Sequence, residues 1–215
     1  GSNTIALSIG AGSLTGPNID QLTIEAVDTT GPTDAERFED VIAVNFEAPL
    51  TGNGSFNAPA GYETPDGFEA DTGEAYGDRG NGFTYGWVDV DDANDTVTST
   101  PAAQPTGSMR YKNNVSEASD LQKTYAHYDY HGGPSGERER AWEIELENGT
   151  YELSVAIGDT AGQYDSNYVL NVEGEQFGND FVPVNLERQQ LVGGQYDASF
   201  DGEGFRSNVY TGIVQ

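Results

Sequence analysis

The most informative segment of this chain is Ala141-Trp-Glu-Ile-Glu-Leu-Glu-Asn-Gly-Thr-Tyr151, which Val155-Ala-Ile-Gly-Asp159 follows closely. It predicts one strand over 141–147 and a second over 150–157. Asn148 and Gly149 stand between the two strands. Because both residue types tolerate the positive φ angles of a type I′ turn, the dipeptide predicts a β-hairpin.

The composition of the chain favours many short strands over helices. Its 215 residues include 28 Gly and 9 Pro, and only 35% are hydrophobic, which suits strands joined by long turns. We therefore predict an all-β protein with one short helix over 116–123. The segment 48–80 shows little periodicity, and a loop of that length tends to be functional or tied by a metal. Further strands are predicted over 4–9, 20–27, 41–47, 84–88, 108–111, 168–173, 181–185 and 209–215.

The net charge limits the partners that the protein can bind. Thirty-six acidic residues against nine basic ones give a formal charge of -27, which repels nucleic acids and anionic lipid surfaces. We expect no nucleic-acid partner, and a strongly anionic glycan only where a metal or a local basic patch intervenes. So acidic a surface needs screening by salt or bound cations, which fits a marine or saline setting.

Two absences in the sequence narrow the class of protein further. The chain has no cysteine, so no disulfide holds the fold, and the class of small cystine-rich secreted domains is excluded. No apolar run reaches the roughly 20 residues of a membrane-spanning helix. We therefore expect a soluble protein without membrane insertion.

The start of the chain predicts a separate pair of strands. Apolar and polar residues alternate at 4–9 and 20–27, with a Gly-rich loop between them. The segment 28–40 that follows has the composition of a linker. We predict a boundary near residue 35, with 1–35 as a closing strand pair plus linker and 36–215 as the main domain.

A series of short motifs runs through most of 41–174 in a fixed order. They are Asn45-Phe46, Pro59-Ala-Gly-Tyr62, Asp71-Thr-Gly-Glu-Ala-Tyr76, Tyr85-Gly-Trp87, Asp120 with Thr124, Trp142-Glu143, Asn148-Gly-Thr-Tyr151, Gly158-Asp159 and Val172-Glu-Gly174. Their order and spacing resemble a malectin-like, galactose-binding-like module of secreted bacterial proteins that act on polysaccharides. Lys123 departs from the pattern, which has an acidic residue there, and 125–133 has the character of an insertion.

This resemblance implies a fold and a role. The implied fold is an antiparallel β-sandwich of the jelly-roll type. The implied role is that of a non-catalytic carbohydrate-binding module, which targets a larger secreted enzyme to its polymer. The expected partners are therefore a polysaccharide or oligosaccharide and other modules of the same polypeptide.

The same resemblance bears on the first 27 residues. Modules of this kind end with a strand pair that this chain does not show after Gln215. The first 27 residues resemble that piece, and also the closing strands of a family 6 carbohydrate-binding module. They either belong to an upstream module or dock on the main domain. We expect docking, because an unpaired apolar strand pair is an aggregation hazard.

Aromatic residues gather in the segment Tyr125-Ala-His-Tyr-Asp-Tyr-His131. Sugar rings present an apolar CH face that stacks on aromatic side chains, and their hydroxyls need polar partners, so this cluster predicts a glycan platform. The alternative is that its rings fold back to cover the core. Elsewhere, Tyr85 and Trp87 fall on one face of a strand, where packing is the alternative role.

Two polar residues complete the predicted ligand site. Arg110 can donate paired hydrogen bonds to hydroxyls or a carboxylate, or form an internal salt bridge. Asp159 lies where modules of the resembling kind present polar groups to ligand, and its alternative role is to cap a turn. The full set of predicted ligand-binding residues is Tyr85, Trp87, Arg110, Tyr125, His127, Tyr128, Tyr130, Asp159 and Tyr164.

The segment Asp89-Val-Asp-Asp-Ala-Asn-Asp-Thr96 has the density of oxygen ligands that hard cations favour. It lacks the glycine and the terminal Glu of a helix-loop-helix calcium site. A different, structural Ca2+ site is predicted here, against the alternative of a solvated acidic turn. Zinc bound by His127 and His131 is a further hypothesis, which no Cys or helical context supports. The predicted metal ligands are Asp89, Asp91, Asp92 and Asp95.

The sequence contains no recognisable catalytic constellation. No nucleophile with a base, no His-based metal triad and no defined carboxylate pair stands out, so we predict that the chain is not an enzyme. Two other functions stay open. One is a calcium-stabilised structural or adhesive repeat of a large cell-surface protein, and the other is a β-sandwich polysaccharide lyase or glycoside hydrolase. In each case we expect a secreted or cell-surface bacterial protein.

Overall fold

The computed structural model describes residues 2–9, 18–28, 37–91, 96–112, 119–127, 140–159, 168–172, 175–181, 195–196 and 206–214. Within these segments the backbone forms fifteen strands, one 3-10 turn and one four-residue α-helix. The prediction of an all-β protein is therefore confirmed for the described part of the chain.

The elements follow one another in this order. The strands are β1 (Ser2–Ile9), β2 (Asn18–Asp28), β3 (Arg37–Phe46), β4 (Glu69–Asp71), β5 (Gly77–Asp78), β6 (Thr84–Asp91), β7 (Thr96–Pro101), β8 (Met109–Tyr111), β9 (Thr124–His127), β10 (Arg140–Glu147), β11 (Tyr151–Asp159), β12 (Tyr168–Val172), β13 (Glu175–Phe181), β14 (Gln195–Tyr196) and β15 (Arg206–Val214). The 3-10 turn spans Gly54–Phe56, and the helix α1 spans Asp120–Lys123.

The described strands form two sheets. Sheet A has the order β13-β12-β1-β10-β6-β5, and β7 also pairs with β6. Sheet B has the order β14-β15-β11-β2-β3-β4, and there β9 pairs with β2 and β8 pairs with β9. Paired strands are antiparallel, except that β3 and β4 run parallel. Consecutive strands often belong to different sheets, as β1 and β2, β10 and β11, and β11 and β12 do, so the chain crosses between the sheets many times.

The first two strands lie inside the sheets. β1 pairs with β10 on one side, from Ser2 opposite Glu147 to Leu7 opposite Trp142, and with β12 on the other side. β2 lies between β11 and β3. The two strands belong to different sheets, so they do not pair with each other. The predicted boundary near residue 35 falls outside the described residues.

The prediction of a hairpin at Asn148-Gly149 is wrong. β10 belongs to sheet A and β11 to sheet B, so the dipeptide connects two sheets. Neither Asn148 nor Gly149 has a positive φ, whereas a type I′ turn needs a positive φ at both central positions. The Tyr151 hydroxyl donates a hydrogen bond to the Glu147 carbonyl at 2.6 Å. This bond holds the chain at the point where it changes sheets.

Both sheets contribute to one hydrophobic core. The Phe46 ring, from β3 of sheet B, forms edge-to-face contacts with the rings of Trp87 and Trp142 from sheet A, at centroid distances of 5.8 and 5.7 Å. Such edge-to-face contacts are favoured by the aromatic quadrupole. The core residues of sheet A are Ile5, Leu7, Tyr85, Trp87, Trp142, Ile144, Leu146 and Val172; those of sheet B are Ile19, Leu22, Ile24, Ile42, Val44, Phe46, Met109, Ala126, Tyr151, Leu153 and Val155.

A smaller apolar cluster lies apart from this core. Val88, Val90 and Ala141 are buried there, and Tyr76 and Val97 pack against them. Val88 and Ala141 alternate with the core residues Trp87 and Trp142 along their strands, so they face the other side of sheet A. The strand β7, which the sequence did not predict, supplies Val97.

Other predicted elements are shifted or extended. The segment 48–80, predicted as a loop, contains the 3-10 turn and the short strands β4 and β5. The predicted helix is present as α1, while 116–118 fall outside the described residues. β13 ends at Phe181, where the predicted strand 181–185 begins, and 182–185 are not described. The described segments include no helix with the length and apolar character that crossing a lipid bilayer requires.

Candidate functional site

Asp71 is the centre of a buried polar cluster formed by the motif residues. Its side chain is fully buried and accepts hydrogen bonds from the indole nitrogens of Trp87 at 2.9 Å and Trp142 at 2.8 Å. The backbone N–H of Gly73 donates a third bond at 2.8 Å. Burial raises the pKa of the Asp71 carboxyl to about 6, although the three donors act to lower it. The carboxylate thus ties β4 of sheet B to two strands of sheet A.

The glycine of the Tyr-Gly-Trp motif is required by a close approach of two chain segments. Gly86 has a φ of +134°, and a Cβ there would lie 2.0 Å from Arg79 Nη2 and 2.8 Å from the carbonyl oxygen of Glu74. Arg79 Nη2 donates to that same carbonyl at 3.1 Å, and its guanidinium lies 4.9 Å from the centre of the Tyr85 ring. These contacts of the motif residues therefore stabilise the fold.

The edge of β8 supports a different group of side chains. Asn53, which is buried, donates through Nδ2 to the Met109 carbonyl and accepts through Oδ1 from the Gly107 N–H, both at 2.5 Å. The Asn53 amide therefore takes the place of a neighbouring strand along this edge. As a result, the loop that begins at residue 48 is fixed against β8.

One face of β8 and β9 carries two cation–π contacts. The Arg110 guanidinium lies 4.5 Å from the centre of the Phe56 ring, and its Nε donates to the Gly107 carbonyl at 2.8 Å. The Lys112 ammonium lies 5.5 Å from the centre of the Tyr125 ring. Contacts of this kind contribute about 0.5–1 kcal/mol at exposed sites. They fix Arg110 and Lys112, two of the nine cations of this acidic chain, against the Phe56 and Tyr125 rings.

On the opposite face of β8, where Tyr111 alternates with Arg110 along the strand, Tyr62 and Tyr111 form a perpendicular ring pair. Their centroids are 5.6 Å apart and their planes meet at 73°. The Tyr111 hydroxyl donates to Asp120 at 3.2 Å, and burial, followed by the Asp120 charge, raises the Tyr111 pKa. Both rings are partly exposed, so each offers some surface to a ligand.

The ring of Tyr62 is positioned by a buried polar network. Its hydroxyl donates to Glu47 at 3.0 Å and accepts from Asn45 Nδ2 at 3.0 Å. Glu47 also accepts from Asn45 at 2.6 Å and from Thr64 at 2.9 Å, and Thr124 donates to Asn45 at 3.0 Å. Burial and the adjacent Glu47 charge raise the Tyr62 pKa, so the hydroxyl keeps its proton. The network connects the loop, β3 and β9 beneath the ring.

We call the partly exposed side chains around this strand the β8 patch. It combines three aromatic rings with two cations. The two hydrogen bonds of the Asn53 amide and the buried network around the Tyr62 hydroxyl hold the surrounding backbone and ring in place. Aromatic rings stack on apolar sugar faces, while guanidinium and ammonium groups donate to hydroxyls. The arrangement is therefore suited to binding a glycan. Its members are Phe56, Tyr62, Arg110, Tyr111 and Lys112.

The structure brings three of the predicted ligand residues to this region. Arg110 lies opposite Tyr125 in the pairing of β8 with β9, and His127 follows two positions along. The Tyr125 ring is fully buried, so it offers no open face to a ligand. Tyr85 and Trp87 lie in the core, 2% and 0% exposed, and burial raises the Tyr85 pKa to about 12.

Four other predicted ligand residues lie partly or wholly outside the described part of the chain. Asp159 is the last residue of β11, opposite Arg206 in the backbone pairing, and its side chain lies outside the described part. Tyr128, Tyr130 and Tyr164 fall outside the described residues. The hypothesis of a platform over 125–131 therefore remains a prediction for the residues after His127.

The predicted calcium ligands are only partly described. Asp89 forms an ion pair with Arg140 at 2.5 Å, which uses one of its carboxylate oxygens. Asp91 is exposed at the end of β6, while Asp92 and Asp95 lie outside the described residues. Within the described segments, no group of three or more His, Asp or Glu side chains is arranged to hold a metal ion.

The sequence prediction missed most of the β8 patch. Tyr62 appeared in it only as a motif residue, and Phe56, Tyr111 and Lys112 were not selected. Two signals were available: the aromatic residues of the long segment 48–80, and the position of three of the nine cations within 110–123.

Comparison with known proteins gives no match, since no family model, no curated protein and no solved structure is significantly similar to this chain.

Proposed function

We propose that this protein is a non-catalytic carbohydrate-binding module that holds a glycan at the β8 patch. The observation that carries the proposal is the perpendicular pair of Tyr62 and Tyr111, whose rings are partly exposed at one face of β8. A sugar ring stacked on one of these tyrosines would meet the edge of the other, and a glycan that extends past β8 would bring further hydroxyls to Arg110 and Lys112 on the opposite face.

The side chains of the β8 patch are held in place by their neighbours, and this supports a binding role. Ordering side chains on association costs about 0.5–1.5 kcal/mol for each immobilised side chain. Tyr62 is held by Asn45 and Glu47, and the Arg110 guanidinium is held by Gly107 and Phe56. A ligand would therefore meet a largely preformed surface and would spend little of its binding energy on ordering it.

The proposal includes the type of fold and the biological setting. We assign the two sheets with their shared core to a β-sandwich of the jelly-roll type, related to the malectin-like and galactose-binding-like modules. In this view the chain is secreted and forms part of a larger polysaccharide-active protein. Its modest affinity would raise the local concentration of an attached catalytic domain at its polymer.

The test is a glycan array followed by calorimetry with the best soluble polysaccharide. Tyr111→Ala removes one wall of the ring pair, and we expect it to weaken binding at least tenfold. Leu50→Ala is the control, because it removes an exposed apolar side chain, 55% accessible, from the loop that carries Tyr62. Tyr62→Phe keeps the ring and removes its hydroxyl, so it should reduce affinity less than Tyr111→Ala.

Three results would count against the site or the function. Loss of affinity in a Tyr128→Ala, Tyr130→Ala variant, with Tyr111→Ala unaffected, would move the site to the residues after β9. No saturable heat with any glycan would exclude the binding function, and sustained product release from a polysaccharide panel would exclude a non-catalytic role.

A second candidate function is a calcium-stabilised spacer in a cell-surface protein. It is favoured by the exposed Asp91 at the end of β6 and by the net charge of -27. Calcium would raise the melting temperature of such a spacer at constant ionic strength, and chelation would reverse the change. We expect Asp91→Asn to reduce that response if the acidic turn binds the ion. A melting temperature that is equally raised by magnesium and sodium at matched ionic strength would indicate screening alone.

A further inference from the structure

A cavity of about 250 Å3 lies beside β3, away from the β8 patch. Along β2, Leu22 and Ile24 are buried in the core while Thr23 between them is partly exposed, and on β3 Ala43 alternates in the same way with Ile42 and Val44. Thr23 and Ala43 are paired across the two strands, so they lie side by side on the outer face of sheet B. The cavity is lined by Thr23, Val41, Ile42, Ala43, Gly67, Glu69 and Phe83.

The local backbone keeps this cavity open. The pairing of β2 with β3 shifts register between Ile24 and Glu25, and Val41 is the extra residue of β3 at that bulge. A bulge bends its strand and redirects side chains. β4 pairs only with Val44–Phe46, so within the described residues the preceding part of β3 has no strand on that side.

Phe83 forms part of the apolar wall of the cavity, and hydrogen bonds in the turn before β6 hold it in place. The Phe83 carbonyl accepts from the Arg79 N–H at 3.0 Å, and the Phe83 N–H donates to Asn81 Oδ1 at 3.1 Å. Phe83 and Val41 also pack against the main core. The ring therefore has a fixed position, with its partly exposed side available to the cavity.

We propose that this cavity binds one neutral pyranose-sized sugar ring. Its volume equals that of roughly eight water molecules at roughly 30 Å3 each, below the roughly 300–1,000 Å3 of clefts for drug-sized ligands. The Phe83 ring and Val41 provide an apolar surface for the CH face of the sugar. The Glu69 carboxylate accepts hydrogen bonds from two neighbouring hydroxyls, and the Thr23 hydroxyl supplies one further polar contact.

The charge of the cavity selects among ligands of this size. Glu69 is exposed and lies in a chain of net charge -27, so uronates and sulfated sugars are repelled. The lining contains one aromatic ring, whereas a cage for an ammonium group uses several. A neutral polyhydroxylated ring is therefore the ligand that the lining fits best.

This second site does not depend on the first. The cavity and the β8 patch share no residue, so either one can bind while the other does not. A protein with both would contact a polysaccharide at two places, and linked contacts of this kind raise the overall avidity.

The experiment is an amide NMR titration of the full chain with the methyl pyranosides of glucose, galactose and mannose. We expect at least one of them to give saturable shifts at residues 41–43, 67–69 and 83. Ala43→Leu, on the outer face, fills the cavity and should abolish these shifts. Glu69→Gln should weaken binding about tenfold, because it removes a charged acceptor. Tyr111→Ala should leave the titration unchanged.

Several results would overturn the proposal. They are the absence of saturable shifts with all three glycosides, unchanged binding in Ala43→Leu, or saturation by methylammonium with none by the glycosides. Loss of binding in Tyr111→Ala with full binding in Ala43→Leu would assign the sugar to the β8 patch alone. Retained cavity shifts together with no effect of Tyr111→Ala on polysaccharide affinity would instead reject the site of the proposed function.

Discussion

Asp71 is a carboxylate that the fold buries completely while three N–H groups point at it. Removing a charge from water costs several kcal/mol, and each hydrogen bond to a charged group returns about 1.5–3 kcal/mol. The two contributions are similar in size, and the pKa near 6 shows that burial slightly outweighs the donors. The structural consequence is that the Asp71 side chain fixes β4 against β6 and β10.

Asp71 should therefore make the protein more stable as the pH falls toward 4.5. Between its ordinary pKa of 3.8 and about 6 the folded protein holds a proton that the unfolded chain has released. The unfolding free energy consequently falls as pH rises through this window. Relative to Asp71→Asn, the wild type should gain about 2 kcal/mol between pH 7.5 and 4.5, since one pKa unit corresponds to about 1.4 kcal/mol.

Urea denaturation of both proteins across this pH range measures the effect. At pH 7.5 the Asn variant should itself be about 1–3 kcal/mol less stable, because its amide nitrogen would face an N–H group. Glu63→Gln is the control for the loss of one negative charge, since Glu63 is exposed, and this variant keeps Asp71, so it too should be more stable at pH 4.5 than at pH 7.5. Parallel profiles for wild type and Asp71→Asn would show that Asp71 does not titrate in this window.

At the scale of an element, β8 depends on a side chain from a distant loop. Asn53→Ala removes both contacts to the Gly107 and Met109 backbone, so we expect the protein to lose about 1–3 kcal/mol of unfolding free energy. Hydrogen exchange at the Gly107 amide should become at least about tenfold faster. Glycan affinity should also fall, although Tyr62 and Tyr111 are unchanged.

Asn57→Ala is the matched control in the same loop. Its side chain accepts one hydrogen bond, from the Asn53 N–H at 2.8 Å, and does not contact β8. We expect it to leave the exchange of the Gly107 amide nearly unchanged. Equal effects of Asn53→Ala and Asn57→Ala would mean that the loop as a whole, and not the Asn53 amide, supports β8.

The elements also show what the sequence can predict and what it cannot. Strands such as β1 and β2 followed from the local alternation of apolar and polar residues, because burial of one face imposes a period of two. The partner of each strand did not follow, since pairing is non-local. Asn148-Gly149 illustrates the difference: its turn preference is real, but Tyr151 and the separate partners of β10 and β11 take the chain across to the other sheet.

The candidate sites were harder to predict than the strands for the same reason. The β8 patch joins residues from 56 to 112, and the cavity joins residues from 23 to 83. Single-residue arguments selected Tyr85 and Trp87, whose rings the core then buries. Arg110 was the patch residue that could be selected, because a cation in so acidic a chain stands out without knowledge of its neighbours.

At the scale of the whole molecule, the first two strands lie inside the two sheets, β1 in sheet A and β2 in sheet B. β1 separates β12 from β10, and β2 separates β11 from β3. Their buried side chains Ile5, Leu7, Ile19, Leu22 and Ile24 belong to the shared core. At about 2 kcal/mol for each buried aliphatic side chain, the five contribute about 10 kcal/mol, which is comparable to the 5–15 kcal/mol net stability of an ordinary domain.

A chain that lacks residues 1–28 should therefore not fold. Both sheets would be left with a gap between strands, and the backbone groups of β10, β11 and β3 that face β1 and β2 would lose their partners. We expect the shortened chain to show no cooperative thermal transition and a collapsed amide NMR spectrum. Adding a peptide of residues 1–28 should restore the transition in proportion to its concentration, because the peptide supplies the missing strands. A cooperative transition of the shortened chain at the wild-type temperature would contradict this, and would mean that 36–215 is stable without its first two strands.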